Sequence, residues 1–240
     1  MTCGWTTLQP DNIGISDKKR SHVKETHDTM RFAGASLSCH RHICAFFNGF
    51  EDAFQVLGPF IRDGFLCDHR AIHLVGADKR EAHITRLRCE GIDTEASQIS
   101  GQLEIRTTVD AYLKDGLFDQ DRMVEEFSAL ASGNMNGNFP LSRIVCDMDW
   151  AASNREHLRD LIEFESRIND LWNQHDDVVI CVYDLTKFGG DTIMDILRTH
   201  PAVVISGVLR ENPFYIPPVQ FLAELRERRS GKGEQSAAAE

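Results

Sequence analysis

The sequence predicts an α/β fold in which a mostly parallel central sheet is covered by helices on both faces. Three observations predict it. Short runs rich in β-branched and aromatic residues recur along the chain: HICAFF at 42–47, RAIHLV at 70–75, RIVCDM at 143–148, VVICVY at 178–183 and AVVIS at 202–206. Between them lie segments whose apolar residues return every three to four positions, the period of a helix with one buried face. The runs are apolar throughout rather than at every second residue, as expected of strands buried on both sides.

Taken in order, residues 1–36 carry no clear hydrophobic period, although a short helix fits Asp17 to Phe32. The HICAFF strand leads to Asn48, a helix N-cap with Glu51 three residues on, and to the stripe Phe50, Ala53, Phe54, Leu57, Phe60 and Ile61. The RAIHLV strand precedes a helix over Asp78 to Cys89 that ends at Gly91. Ile99 to Arg106 alternates weakly as a strand, and a helix from Asp119 places Met123, Phe127 and Leu130 on one face before a loop over Gly133 to Pro140. After RIVCDM, Asn154 opens a long helix with Leu158, Leu161, Ile162, Ile168 and Trp172 inward. Thr192 to Arg198 is helical, Pro213, Pro217 and Pro218 frame an extended stretch, and a last helix covers Val219 to Arg229. The domain therefore spans 37–229. The tail 230–240 (SGKGEQSAAAE) is small and polar and reads as disordered.

Composition bounds the function. Of the 240 residues, 37 are acidic and 26 basic, a net charge of −11 that repels nucleic-acid phosphates and anionic membranes, so neither is expected as a direct partner. The basic stretch DKKRSHVK at 17–24 is too short and mixed to be a binding arm and reads as solvated surface. Seven cysteines at irregular spacing, several inside apolar runs, argue against a disulfide framework and for the reducing cytoplasm. The N-terminus lacks a signal-peptide pattern, and no apolar run reaches the length of a membrane span.

Ligands of parallel sheets bind outside the carboxyl ends of the strands. Those ends carry Phe47 and Asn48, then Asp147, Asp149 and Trp150, then Tyr183 and Asp184, a mixture of aromatic walls and a few polar groups that suits a small-molecule pocket. The loop after the first strand is Asn48-Gly49-Phe50-Glu51, with neither the glycines nor the Lys-Ser/Thr of a phosphate loop, and Glu51 would repel phosphate there. Phosphoryl transfer by that device is excluded, while weaker nucleotide binding is not. No nucleophile elbow or activated cysteine is recognisable. Glu165 falls on the apolar stripe of the long helix and needs a partner.

The densest group of metal-ligand types is Cys39-His40-Arg41-His42-Ile43-Cys44, with Cys67, His69 and His73 on or near the next strand. It contains no Cys-x-x-Cys pair and matches no familiar zinc spacing, so the chain is expected to be metal-free and to need no cofactor.

In their order these pieces resemble the MEDS family of prokaryotic sensory domains. The matching segments are HICAFF at 42–47, LGPFIRDGF at 57–65, GQLEIRTTVDAYLKDGLFD at 101–119, RIVCDMDWA at 143–151, Phe164-Glu165, VVICVYDLTKF at 178–188 and THPAVVISGVLRENPFYIPP at 199–218. The resemblance implies a three-layer RecA-like core that has lost its phosphate loop, and a non-enzymatic domain that senses a small, weakly polar molecule such as a hydrocarbon derivative. It also implies a signalling partner, whether a kinase, an anti-sigma module or a regulator, although neither end of this chain is patterned as an output domain. Asp147 stands where the family is expected to carry Glu, which shortens the reach of that carboxylate. The ligand site is expected at the carboxyl end of the sheet, with Phe47, Trp150 and Tyr183 as walls. His42, Asp147 and His200 are expected nearby, the two histidines being positions that resemble the family's. Two alternatives are a residual RecA-like nucleotide binder and a His/Cys metalloprotein.

Overall fold

The computed structural model describes residues 30–37, 41–114, 116–133 and 139–237. The short strands β1 (Arg31–Phe32) and β2 (Ala35–Ser36) pair in a hairpin. Next come β3 (His42–Phe47), α1 (Phe50–Leu66), β4 (Arg70–Val75), α2 (Arg80–Cys89), α3 (Thr94–Ser100) and β5 (Leu103–Thr107). A short helix α4 (Thr108–Tyr112) and the hairpin β6 (Leu113–Lys114) with β7 (Leu117–Phe118) lead to α5 (Gln120–Gly133). The second half holds β8 (Ser142–Asp147), a single 3-10 turn at Asp149–Ser153, α6 (Arg155–Arg167), α7 (Asn169–Trp172), β9 (Val178–Asp184) and α8 (Gly190–Thr199). The chain closes with β10 (Ala202–Ile205), β11 (Val208–Glu211) and α9 (Pro218–Ala237).

Seven strands form one sheet in the order β11-β10-β3-β9-β8-β4-β5, parallel except where β11 pairs antiparallel with β10. The three most apolar early and central runs, β3, β9 and β8, are adjacent in its middle. Successive side chains of a strand alternate faces, and each face has its own apolar cluster. Ile43, Ala45 and Phe47 of β3 pack with Phe54, Leu57, Phe60 and Ile61 of α1 and Leu87 of α2. Cys44 and Phe46 pack with Met123 and Phe127 of α5, Leu161 and Phe164 of α6, and Ile196 and Leu197 of α8. Adjacent strands β3 and β9 thus send their following helices to opposite faces, which opens a crevice at their carboxyl ends. No helix among the described residues is long and apolar enough to cross a membrane.

Several expectations are corrected. Residues 31–32 are strand rather than the end of a helix; the rest of the 17–32 segment, with the basic stretch at 17–24, lies outside the described residues, as do 134–138 of the loop over 133–140 and 238–240 of the tail. The N-cap of α1 is Gly49, at φ 93°, and the back-bond to Asn48 N comes from Asp52 Oδ2 at 2.9 Å rather than from Glu51. Glu51 pairs instead with Arg86 of α2. Residues 94–100 are helical because Asp93 caps them through Ala96 N and Gly101, at φ 78°, ends them; Ile99 is exposed, so the alternation around it carried no burial. The hairpin partner β11 escaped notice because only Leu209 of its four residues is buried. The last helix runs to Ala237 instead of stopping at Arg229, across two glycines that each cost about 1 kcal/mol in a helix.

Candidate functional site

A cleft of ≈ 530 Å³, its open mouth included, lies at the carboxyl ends of β3, β4, β8 and β9 beneath α1 and α2. Each strand brings its last inward residue: Phe47, Val75, Val145 and Val182. Helix α1 roofs one side with Phe50, Phe54 and Leu57, because its apolar stripe faces the sheet. The wall is therefore aliphatic and aromatic except at two places.

The first is an ion-paired rim. Lys79, just before α2, donates to Asp147 Oδ2 at 2.7 Å and to Asp149 Oδ2 at 2.6 Å. Asp147 also accepts from Gly76 N at 3.2 Å, and a Cβ on Gly76 would stand 3.1 Å from that same oxygen, so the close approach needs glycine. Asp149 accepts from Asp184 N at 3.0 Å and pairs with Lys187 at 3.0 Å. Burial pushes Lys79 toward a lower pKa, but Asp147 and Asp149 outweigh it and hold the ammonium above its ordinary value. Burial pushes Asp149 up, and Lys79, the Asp184 amide and Lys187 bring it below the ordinary range. Asp147 and Asp149 are matched by Lys79 and Lys187, while the third carboxylate of the lining, Asp184, accepts from Thr186 N and Oγ1, so the rim presents hydrogen-bonding groups with a small negative charge.

The second polar place is a histidine pair. His83 of α2 lines the cleft, and its Nε2 lies 2.9 Å from Nδ1 of His73, in the middle of β4. Both rings are buried, and Phe54 packs edge-on against His83 at 5.8 Å. Burial lowers His83 to about 4 and takes His73 well below the imidazole range, with His83 adding to the effect on His73. Both are neutral at pH 7.

The six residues expected to form one site divide. Phe47 and Asp147 line the cleft as expected. Tyr183 also borders it, but its ring lies in the cluster of the opposite face, 5.7 Å from Phe46 and 5.5 Å from Phe188, with its hydroxyl buried and without a hydrogen-bond partner. Trp150 is not a wall: it stacks on Tyr112 at 5.0 Å, beside Phe118. His42 and His200 are not near the cleft. His42 is the first residue of β3 and Phe47 the sixth, roughly 16 Å of extended chain apart. Lys79 and His83 were missed, since β4 ends at Val75 and runs into Gly76-Ala77, without a polar or aromatic side chain, and both residues lie beyond that end.

His42 and His200 instead meet Glu165 and Cys181 in the interior. His42 Nε2 is 2.9 Å and His200 Nε2 3.2 Å from Glu165 Oε2, while Cys181 Sγ is 3.5 Å from His42 Nε2 and 3.7 Å from Glu165 Oε2. One donor atom from each residue lies within 4.8 Å of all the others, which makes this the described group able to hold a metal ion. Glu165 thus finds the partners it needs in two histidines. The other ligand types scatter: His69 accepts from Arg143 Nε at 3.0 Å, and Cys44 Sγ contacts the Ala202 carbonyl at 3.7 Å.

Two comparisons bear on this architecture. Residues 41–201, the span from β3 to the start of β10, match the profile of MEDS, the methanogen/methylotroph, DcmR sensory domain. The chain is also 26% identical over 170 residues to the transcriptional repressor DcmR of Methylorubrum extorquens (strain DSM 6343 / CIP 106787 / DM4), a match covering 70% of this chain and 61% of that protein. With the family profile covering more than half of the chain, five of the seven strands of the central sheet and the cleft, the chain belongs to the MEDS family of sensory domains.

Proposed function

We propose that this chain senses a small, weakly polar molecule in the cleft beneath α1 and α2 and passes the occupancy to a signalling or transcription-regulating partner. The observation that carries the reading is the cleft's composition. Phe47, Phe50, Phe54 and three valines offer apolar contact, while His83 and the ion-paired Lys79–Asp147–Asp149 rim supply a few hydrogen bonds at one end. A halomethane or short alcohol has that polarity. The family and the relative's role as a repressor point to signalling.

The proposal has three further parts. A RecA-like core without a working phosphate loop accords with Gly49-Phe50-Glu51 at the start of α1, where the first turn carries the carboxylates of Glu51 and Asp52. An absence of catalysis accords with carboxylates held in ion pairs rather than poised as free acids or bases. A cytoplasmic location accords with Cys44, Cys89, Cys146 and Cys181 standing outside disulfides.

The test is thermal unfolding of the purified chain against halomethanes, short-chain alcohols and magnesium-ATP. A cognate ligand at 100 times its Kd stabilises by about 2.7 kcal/mol. Phe50→Ala, in the cleft, should abolish that gain, whereas Trp150→Ala, outside it, should leave ligand affinity unchanged. Stabilisation by magnesium-ATP with phosphate release would replace this reading with a nucleotide hydrolase. Equal ligand affinity in the Phe50 variant would move the site elsewhere.

A further inference from the structure

We infer that His42, Glu165, Cys181 and His200 form a buried transition-metal site, suited above all to zinc. The four come from four elements: the first residue of β3, the inner face of α6, the middle of β9 and the joint between α8 and β10. Each of the four is at most 3% exposed.

The hydrogen bonds around the two imidazoles decide which ring nitrogens face inward. Asn169 Nδ2 donates to the carbonyls of Glu165, Ser166 and Thr199, at 3.0, 3.2 and 2.7 Å. Its Oδ1 is therefore the atom left facing His42 Nδ1, at 3.1 Å, and His42 Nδ1 must carry a proton. His200 Nδ1 lies 2.9 Å from the Ile196 carbonyl, which only accepts, so it too is protonated. Asn212 Nδ2 anchors the same joint by donating to the carbonyls of Leu197 and His200, at 2.6 and 2.7 Å. An imidazole tied at Nδ1 to a carbonyl oxygen, with Nε2 turned inward, is the arrangement by which proteins orient histidine ligands.

Both Nε2 lone pairs then converge on Glu165 Oε2, with the Cys181 sulfur beside them. Three or four electron-pair donors within hydrogen-bonding distance of one another repel unless a proton or a cation lies between them. A proton on one ring relieves one contact and leaves the other, whereas a metal ion relieves them all. Zinc bonds of about 2.0–2.1 Å to N or O and about 2.3 Å to S place neighbouring corners of a tetrahedron roughly 3.3 Å apart, or roughly 3.6 Å where one is sulfur. The observed sulfur edges, 3.5 and 3.7 Å, match, and the His–Glu edges of 2.9 and 3.2 Å need only a few tenths of an ångström.

Charge agrees with geometry. A divalent ion is balanced by one carboxylate and one thiolate, with both imidazoles neutral, so a site with no net charge is buried. The mixed N, O and S set suits zinc, a borderline-soft ion with no geometric preference of its own. A narrow void of ≈ 10 Å³, bounded by His42, Tyr112, Cys146, Glu165, Trp172 and Cys181, adjoins the cluster. The site replaces the metal-free expectation, which weighed the Cys39–Cys44 segment with Cys67, His69 and His73 and took in no residue of α6, β9 or the α8–β10 joint. It does not depend on the cleft reading, and its failure would leave that reading in place.

The experiment is elemental analysis of the full chain after passage over a chelating resin, followed by X-ray absorption at the zinc edge and cobalt substitution. The expected result is one zinc per chain with one sulfur at about 2.3 Å and three nitrogen or oxygen neighbours at about 2.0–2.1 Å. The cobalt form should show the strong visible bands of tetrahedral coordination and a thiolate charge-transfer band that Cys181→Ser removes. A chain that takes up neither zinc nor cobalt overturns the inference. So does bound zinc with no sulfur or several sulfurs around it, or a cobalt spectrum unchanged in a folded Cys181→Ser protein. The absorption measurement needs only the parent chain, so a variant that fails to fold leaves the question decidable.

Discussion

Replacing Lys79 by methionine isolates the ion-paired rim of the cleft. The change keeps most of the side chain's volume and removes the ammonium that bridges Asp147 at 2.7 Å and Asp149 at 2.6 Å. The two carboxylates are only 13% and 8% exposed, so their charges are poorly screened once the bridge is gone. Fully exposed pairs are worth up to about 1 kcal/mol, and breaking a fully buried pair costs about 3–5 kcal/mol. Lys79 stands between those limits, and Lys187 still faces Asp149, which sets the expected loss at about 2 kcal/mol. For a domain of this length that lowers Tm by roughly 4–8 °C.

The pH dependence identifies the cause. Asp149 is held below its ordinary pKa in the folded protein. Such a group adds stability above its unfolded value near 3.9, and that stability is lost as pH falls through the lower folded value. The gap between parent and Lys79→Met should therefore be full at pH 7 and shrink below about pH 4, as Asp149 protonates. Differential scanning calorimetry at pH 7 and pH 3.5 measures both gaps. A loss under about 0.5 kcal/mol at pH 7, or an equal loss at both pH values, would refute the electrostatic account and leave only packing.

Two further outcomes follow from the geometry. His83 is held at about 4 by burial, while an unfolded histidine titrates near 6.5, so between those values the unfolded chain binds more protons and stability falls on acidification. In urea unfolding His83 should contribute about 2 kcal/mol to the stability lost between pH 7 and pH 5, so His83→Leu should shrink that loss by about this amount while His73 keeps its own share; an unchanged slope in the variant would show that His83 is not buried and neutral. Asn154 caps α6 by accepting from Glu156 N at 2.8 Å and His157 N at 3.2 Å, so Asn154→Ala should cost about 1 kcal/mol and roughly 2–4 °C, and a variant as stable as the parent would show that the cap contributes nothing.

The residues themselves determined the sheet. Strands β3, β4 and β9 were legible almost to the residue because strands covered on both faces leave continuous apolar runs, and α6 was legible from its Asn154 cap and its stripe. The family was legible too, since its segments keep their order along the chain. Phe47 and Asp147 could be assigned to the cleft because the carboxyl end of a parallel strand is a position that sequence specifies. Only the tertiary structure decided the rest. Elements with exposed faces, such as β11 and α3, carry little apolar signal, since their position is set by what they pair with. The meeting of His42, Glu165, Cys181 and His200 depends on strand order and on how α6 crosses the sheet. Spacing along the chain records which side of its own element a residue faces, while the distance between elements is set by how the sheet is wound.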